Sequence, residues 1–289
     1  MKNKKTRLVY FGHHKCASAW INQLIAKICA YLDISHQAVF TPSRFQDDLE
    51  KFVEENDIQF LTYGNANYHY VKQLNNYKGF HVVRDPRDVL VSAYFSHQYS
   101  HPTNNWPELA QHRSVIQSLP KDEGLLLDMA FNKPFLDDML SWDYQTVNVL
   151  QFKYEDFIRD PFHNFITVFK YLGIMVENPL DYLQLFSYKA FRRVSRQFGH
   201  PVTLHNPKLS NDNLAYYLNS IDFKQASGGR EKGQEDPKSH YRKGIPGDWI
   251  NHFKPQHIAY FVNHYNPVLL KLGYETDPNW AEQYFPAQP

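Results

Sequence analysis

Residues 8–20 read LVYFGHHKCASAW. Leu8 to Phe11 are apolar and favour a strand, a short loop follows, and from Ser18 the apolar residues recur at helical spacing. Trp20, Ile21, Leu24, Ile25, Ile28 and Leu32 share one face, which predicts a helix over 18–32. At such a strand–loop–helix, backbone N–H groups point into the loop and the helix dipole favours an anion there. Lys15 adds a full charge and Ser18 a hydroxyl donor, while Gly12, Ala17 and Ala19 keep the loop small. The GxxxxGK[ST] phosphate loop has two glycines and this loop has one, Gly12. Taken alone, the segment is either an anion cradle or a solvated lysine ahead of an ordinary helix.

Outward from it, strand and helix signals alternate as a parallel α/β sheet requires. QFLTY (59–63) and GFHVVRD (79–85) read as strands, and Asp85-Pro86 supplies a cap and a first-turn proline for the next helix. Helical pattern continues to about 141, and VNVLQF (147–152) is a further strand. Asp160-Pro161 and Asn178-Pro179 open two more helices, the first closed by Gly173. Regularity fades over 199–240, which reads as a surface loop or a lid, and 247–272 is helical with Pro267 expected to kink or end it.

Two further segments carry cations. HVVRDPRDVLVSAYFSH (81–97) places Arg84 at the end of a buried strand, where open α/β sheets bind ligands, and Ser92 about two turns into the next helix. A guanidinium grips a phosphate bidentately, and Ser92 can add a donor. YRKGIPGDWINHF (241–253) sets Arg242, Lys243 and Gly244 side by side, a second small anion site.

These three segments together resemble the sulfotransferases that use 3′-phosphoadenosine 5′-phosphosulfate (PAPS). The family's first loop, close to YPKSGTTW, aligns with HHKCASAW so that Lys15 and Trp20 stand in register. Its VxRxPxDxxVS element is matched by VVRDPRDVLVS, and its RKGxxGDWxxxF by RKGIPGDWINHF. KYEDF (153–157) is similar to the family's YEDL stretch. The motifs span 8 to 253, nearly the whole chain. The resemblance implies a single α/β domain over 1–289, a central parallel sheet flanked by helices with a P-loop NTPase-like fold. The segments 94–145 and 199–240 are then expected at the acceptor site.

By the same resemblance, Lys15 with Cys16, Ala17, Ser18 and Ala19 would hold the 5′-phosphosulfate. Trp20 would stack on adenine with Tyr154 near its edge, and Ser187 and Tyr188 fall where the family has further adenosine contacts. Arg84, Ser92, Arg242, Lys243 and Gly244 would hold the 3′-phosphate. Lys15 is also the expected catalytic cation, at the bridging oxygen of the leaving phosphate. The implied reaction moves a sulfuryl group to a hydroxyl or amine of a small-molecule or carrier-bound acceptor and releases adenosine 3′,5′-bisphosphate (PAP), with no metal. A kinase of related fold and a non-catalytic nucleotide-binding protein are the alternatives.

The sequence departs from the family at its general base. The family's KTH after the second strand is replaced by FLTYGNANYHY (60–70), with Tyr63 where the His should be. His69 is the leading substitute, and Tyr63, His14, His97, His101, Asp47 and Asp48 remain open. His97 and His101 also stand four apart, but Gln98 replaces the HExxH glutamate and no third ligand is evident, so metal binding is not expected.

Bulk composition narrows the partners. Lys and Arg number 31 against 30 Asp and Glu, so no global charge draws the chain to nucleic acid. Two cysteines, Cys16 and Cys29, make no disulfide framework and read as reduced thiols. No apolar run is long enough to span a membrane and no N-x-[ST] sequon occurs, which together fit a cytoplasmic protein. A homodimer is compatible with all of this.

Overall fold

A computed structural model describes residues 6–197 and 208–284. Five parallel strands form one sheet in the order β2-β3-β1-β4-β5: β1 (Arg7–Gly12), β2 (His36–Val39), β3 (Phe60–Tyr63), β4 (Tyr77–Val83) and β5 (Val149–Lys153). The central strand β1 pairs with β3 from Leu8↔Phe60 to Phe11↔Tyr63, and with β4 from Arg7↔Tyr77 to Gly12↔Val82. This α/β sheet was the predicted architecture. The strand that the sequence reading passed over is β2, a short edge strand (HQAV) that is only half buried and so lacks a clear alternation.

Alternate side chains send the sheet into two cores, as a period of two demands. Tyr10, Phe60, Phe80 and Val82 pack on one face against α1 (Ser18–Leu32), α9 (Pro161–Tyr171) and α11 (Asn211–Asn219). Val9, Phe11 and Leu61 pack on the other, against Leu49 and Val53 of α2 (Leu49–Glu55) and against Trp142. α3 is the single turn Tyr68–Val71, and α4 is Pro86–Phe95, continued by a π-helical turn at Ser96–Ser100. α5 (Pro107–Ser118), α6 (Lys121–Phe131) and α7 (Lys133–Ser141) follow, and a third core joins α4, α6, α7 and α13 (Pro255–Lys271). α8 (Tyr154–Phe157), α10 (Pro179–Gln197), α12 (Phe223–Ala226) and α14 (Ala281–Tyr284) are the other described α-helices.

Two expectations change. The stretch expected to lack regular structure holds α11 and α12, while its residues 199–207 lie outside the described residues. Ser210 caps α11 by accepting from the Asn213 N–H, and Leu214 and Leu218, one turn apart, are buried toward α1, so its polar composition hid a real helix. The C-terminal helix α13 begins at Pro255 rather than 247 and runs through Pro267 to Lys271, so that proline does not end it. Ahead of it, Asp248–Asn251 forms a 3-10 turn.

Candidate active site

The carboxyl ends of β1, β3, β4 and β5 open into one cleft of about 1250 Å³. This is the crevice that strand order selects, because β2 and β3 follow β1 on one side of it and the chain then crosses to β4 on the other. Lys15, Ala17, Ser18, Ala19 and Trp20 line it from the loop after β1 and the start of α1. Arg84 and Ser92 line it from β4 and α4, Tyr154 from the end of β5, and Arg242, Lys243 and Gly244 from the segment before the 3-10 turn. Segments up to 245 residues into the chain therefore meet at one place.

The loop is tight. Lys15 and Ala17 both have positive φ, 60° and 62°, a region where a side chain is strained. Turns that include left-handed residues are where anion-binding nests form. Gly12 has no space for a side chain, since a Cβ there would lie 2.5 Å from Ser18 Oγ. That hydroxyl donates to the carbonyls of His13 (3.0 Å) and Gly64 (3.3 Å), so its observed task is to close the loop. Cys16 turns away from the cleft into the core, and its N–H donates to His13 O. Its thiol is pushed up to about 12, by burial first, and is no nucleophile. The expectation of a Cys16 contact to the nucleotide is corrected accordingly.

The cleft carries unspent positive charge. Among the described residues Lys15 has no ion-pair partner, and burial, with Arg84 and Arg242 adding repulsion, pulls its ammonium down to about 7. Arg84 is 3.5 Å from Asp88, donates to Lys15 O at 3.4 Å, and lies over the Tyr154 ring at 5.0 Å. Its Nε remains a buried donor with no partner among the described residues. A buried orphan donor and an unpaired lysine fit an anionic group between them.

The second grip is arranged differently from the sequence reading. Asp248 takes Arg242 at 2.7 Å and Lys243 at 2.5 Å, and Arg242 also pairs with Glu235. Asp248 is held well below the ordinary carboxylate range; burial opposes this, but His252, Lys243, Asn251 and Arg242 outweigh it. Both cations line the cleft, yet they are already neutralised in part. Gly244, at φ 71°, presses on Phe223, where a Cβ would approach to 2.6 Å. Glu235, Asp248 and His252 come close enough to share a metal, but Arg242 and Lys243 occupy the same carboxylates.

Trp20 is half-buried, its indole N–H donating to Ile221 O at 3.1 Å and its ring edge-on to Phe165. Ser187 does not reach the cleft. It is exposed on α10, and Tyr188 beside it does not line the cleft either.

His69 is also placed outside. It is exposed on α3, where its backbone N–H is capped by Asn67 and its ring packs on Tyr70. The expectation of a base at His69 is therefore corrected. Asp47 and Asp48 do not line the cleft either; Asp47 accepts from Tyr70 and Asp48 caps α2. Tyr63 does line it, but burial pushes its phenol further above neutrality.

The histidines that do gather are His14, His97 and His101. His14 lines the cleft beside Lys15, its Nε2 3.1 Å from His97 Nε2 and its ring stacked on Phe135 at 4.4 Å. His97, fully buried in the π turn, places Nδ1 2.8 Å from Asp128 Oδ1, and His112 Nε2 lies 2.9 Å from the same oxygen. Asn132 donates to Asp128 Oδ2 at 2.8 Å. Burial would raise the Asp128 carboxyl, but the two histidines outweigh it and hold it below its usual value. His97 and His101 thus form no metal pair, because His97 spends both ring nitrogens on protein partners. Asp138 lines the cleft as well, accepts from Asn67 at 2.8 Å, and is raised to about 7, by burial first and then by Asp137. Sequence inspection could not single out Asp128 or Asp138, which sit in ordinary helical stretches with no motif around them.

Comparison with known proteins adds an independent finding. The family profile described as "Sulfotransferase domain" matches residues 6–273. Among solved structures, mouse sulfotransferase SULT7A1 complexed with PAP is similar at 18% identity and a TM-score of 0.54, over 96% of this chain and 89% of that one. Retinol dehydratase in complex with androsterone and inactive cofactor PAP matches at 13% identity and a TM-score of 0.45, over 96% and 85%. No curated protein sequence matches the chain.

Proposed function

Because this chain belongs to the sulfotransferase family, we propose that its cleft binds PAPS and passes the sulfuryl group to a hydroxyl of an apolar or phenolic acceptor. The observation that supports this reading is the unpaired Lys15 beside the orphaned Nε of Arg84, two cationic groups facing one cleft at the carboxyl ends of β1 and β4. Lys15 and the backbone N–H groups of the loop would hold the 5′-phosphosulfate. Arg84, Ser92, Arg242 and Lys243 would hold the 3′-phosphate, and Trp20 and Tyr154 would flank the adenine.

Bound there, PAPS supplies a sulfuryl group already activated on a phosphate leaving group. Lys15 places an ammonium where negative charge gathers as that phosphate departs, so it serves the transition state more than the ground state. The fixed N–H groups of the loop need no reorganisation when the charge arrives. Phe40, Trp106, Phe131 and Phe135 line the remainder of the cleft, an apolar wall suited to an alcohol or phenol and unsuited to a polyanionic glycan. Among the described residues no helix is long and apolar enough to cross a membrane. Two buried free thiols fit a reducing cytoplasm.

Calorimetric titration tests the donor. PAP should bind at least about 100-fold more tightly than ADP, a difference of about 2.7 kcal/mol. Equal affinity for the two would overturn the reading. Transfer of labelled sulfate from PAPS to 2-naphthol or a hydroxysteroid, and not to heparan-type chains, is the expected acceptor result.

A further inference from the structure

We propose that His14 is the general base of the transfer and that His97 and Asp128 act through it as a buried relay. This rests on the sulfotransferase reading and supplies the base that the missing KTH histidine leaves without an owner.

The hydrogen-bond directions follow from Asp128. Its carboxylate is fully buried and held ionised, so both oxygens accept. The proton between Asp128 and His97 therefore sits on His97 Nδ1, 2.8 Å away. A neutral His97 then offers a lone pair at Nε2. The group 3.1 Å across from it is His14 Nε2, which must donate. A neutral His14 that donates from Nε2 has its lone pair at Nδ1, and among the described residues no hydrogen bond is made there. With both rings neutral, one buried carboxylate sets the tautomers of two rings in series and leaves an accepting nitrogen on a residue that lines the cleft beside Lys15. A carboxylate orienting a histidine that orients the reacting proton is the logic of hydrolytic triads, here with one ring more.

Packing holds the chain in place. The His14 ring lies nearly parallel to Phe135 at 4.4 Å and to His101 at 5.4 Å, and Trp106 abuts both His14 and His97. Arg113 donates to the carbonyls of His97 and His101, which fixes the π turn. The charged and titratable groups facing His14 are Lys15, His97, His101 and His240, and those facing His97 are Asp128, His101 and His112. Burial, then His97 and Lys15, hold His14 well below its ordinary value. A bound dianion offsets Lys15 and raises the ring back toward its ordinary basicity.

The step balances without a further reagent. The acceptor hydroxyl gives its proton to His14 Nδ1 as its oxygen forms the new bond to sulfur. The bond from sulfur to the nucleotide phosphate breaks, and its electron pair leaves with the phosphate. The Nε2 proton of His14 moves to His97 Nε2, which places the imidazolium charge against Asp128 and away from Lys15. Asp128 stays ionised throughout.

Two measurements test this. In long-range proton–nitrogen spectra of the full chain, free and with PAP, His97 should be the Nδ1–H tautomer and His14 the Nε2–H tautomer. A proton on His14 Nδ1 in both states overturns the proposal whether or not the protein turns over. In kinetics, the acceptor is whichever of 2-naphthol, a 3-hydroxysteroid and a long-chain primary alcohol wild type sulfates fastest. His14→Gln should then lower kcat about 100-fold or more with PAP affinity unchanged. Asp128→Asn should lower the plateau and shift the acid limb of the kcat profile to lower pH, since the relay loses the charge that favours its protonated form. A kcat for His14→Gln near wild type, an acid limb unmoved in Asp128→Asn, or a loss carried by Asp138→Asn instead each overturns it. Failure of wild type to bind PAP would sink the donor reading and leave the tautomers to judge the relay.

Discussion

Asp88 Oδ1 accepts a hydrogen bond from the Trp249 backbone N–H at 3.0 Å, and its Oδ2 accepts one from Gly247 at 2.7 Å. The same carboxylate lies 3.5 Å from Arg84 Nη2 and is 1% exposed. It therefore ties the anion-handling end of β4 to the segment carrying Arg242, Lys243 and Gly244, which is remote in sequence. Asp88→Ala strands two inward-facing N–H groups, each worth about 1–3 kcal/mol. A loss of about 3 kcal/mol is expected in denaturant titration, with weaker PAP binding. Asp88→Asn keeps one accepting oxygen and should lose less. PAP affinity untouched by either change would mean that Asp88 holds the fold and not the site.

Ala17 stands at φ 62° where a glycine would be at ease. Ala17→Gly relieves that strain and should raise stability by about 1 kcal/mol. Thermal unfolding measures it, and a lower melting temperature would show that the loop prefers its alanine.

The strained loop also marks the limits of what the sequence discloses. Lys15, Arg84, Ser92 and the Arg242–Gly244 run are legible because each sits in a local pattern, a strand end or a short motif, whose chemistry needs those residue types. The parallel sheet is legible for the same reason, through alternating strand and helix periodicity. Asp88 and Asp248 fall at motif positions, but no motif shows that Asp88 reaches Gly247 and Trp249. Asp128 meets His97 from another helix, and nothing local distinguishes it from a solvated acid. His69 misleads because proximity in sequence to the missing KTH says nothing of side-chain direction; α3 turns it outward. α11 hides because polar residues cover the exposed face of a helix that needs only Leu214 and Leu218 to bind it down.

Lys15→Ala should separate binding from chemistry. An electrostatic group matched to developing charge typically contributes about 10²–10³ in kcat, whereas PAP keeps Arg84 and the loop N–H groups as partners. A kcat within a few-fold of wild type at saturating PAPS would remove Lys15 from the transition state.

The same ammonium should couple nucleotide binding to protons. In the free protein burial, with Arg84 and Arg242, holds Lys15 at about 7, so it is largely neutral at pH 8. An anionic nucleotide favours the charged form and raises that value, which requires proton uptake on binding. PAP affinity should fall as pH rises above about 7, and calorimetry in two buffers of different ionisation enthalpy should show up to one proton taken up at pH 8. Lys15→Met should abolish the uptake. Uptake that survives in that variant assigns the proton elsewhere.

Asp138 provides the opposite linkage, this time to folding. Burial first, and Asp137 next, raise its carboxyl to about 7, against the partial relief of the Asn67 amide. The folded protein then keeps a proton that the unfolded chain releases at the ordinary value of 3.8. Stability contributed by this residue is complete below that ordinary value and is lost as pH rises through about 7. Asp138→Asn keeps the accepting oxygen for Asn67 and carries no charge, so it escapes the loss. The melting temperature of Asp138→Asn relative to wild type should therefore climb between pH 5 and pH 8. A difference that stays constant over that interval would show that Asp138 titrates in place as it does in water.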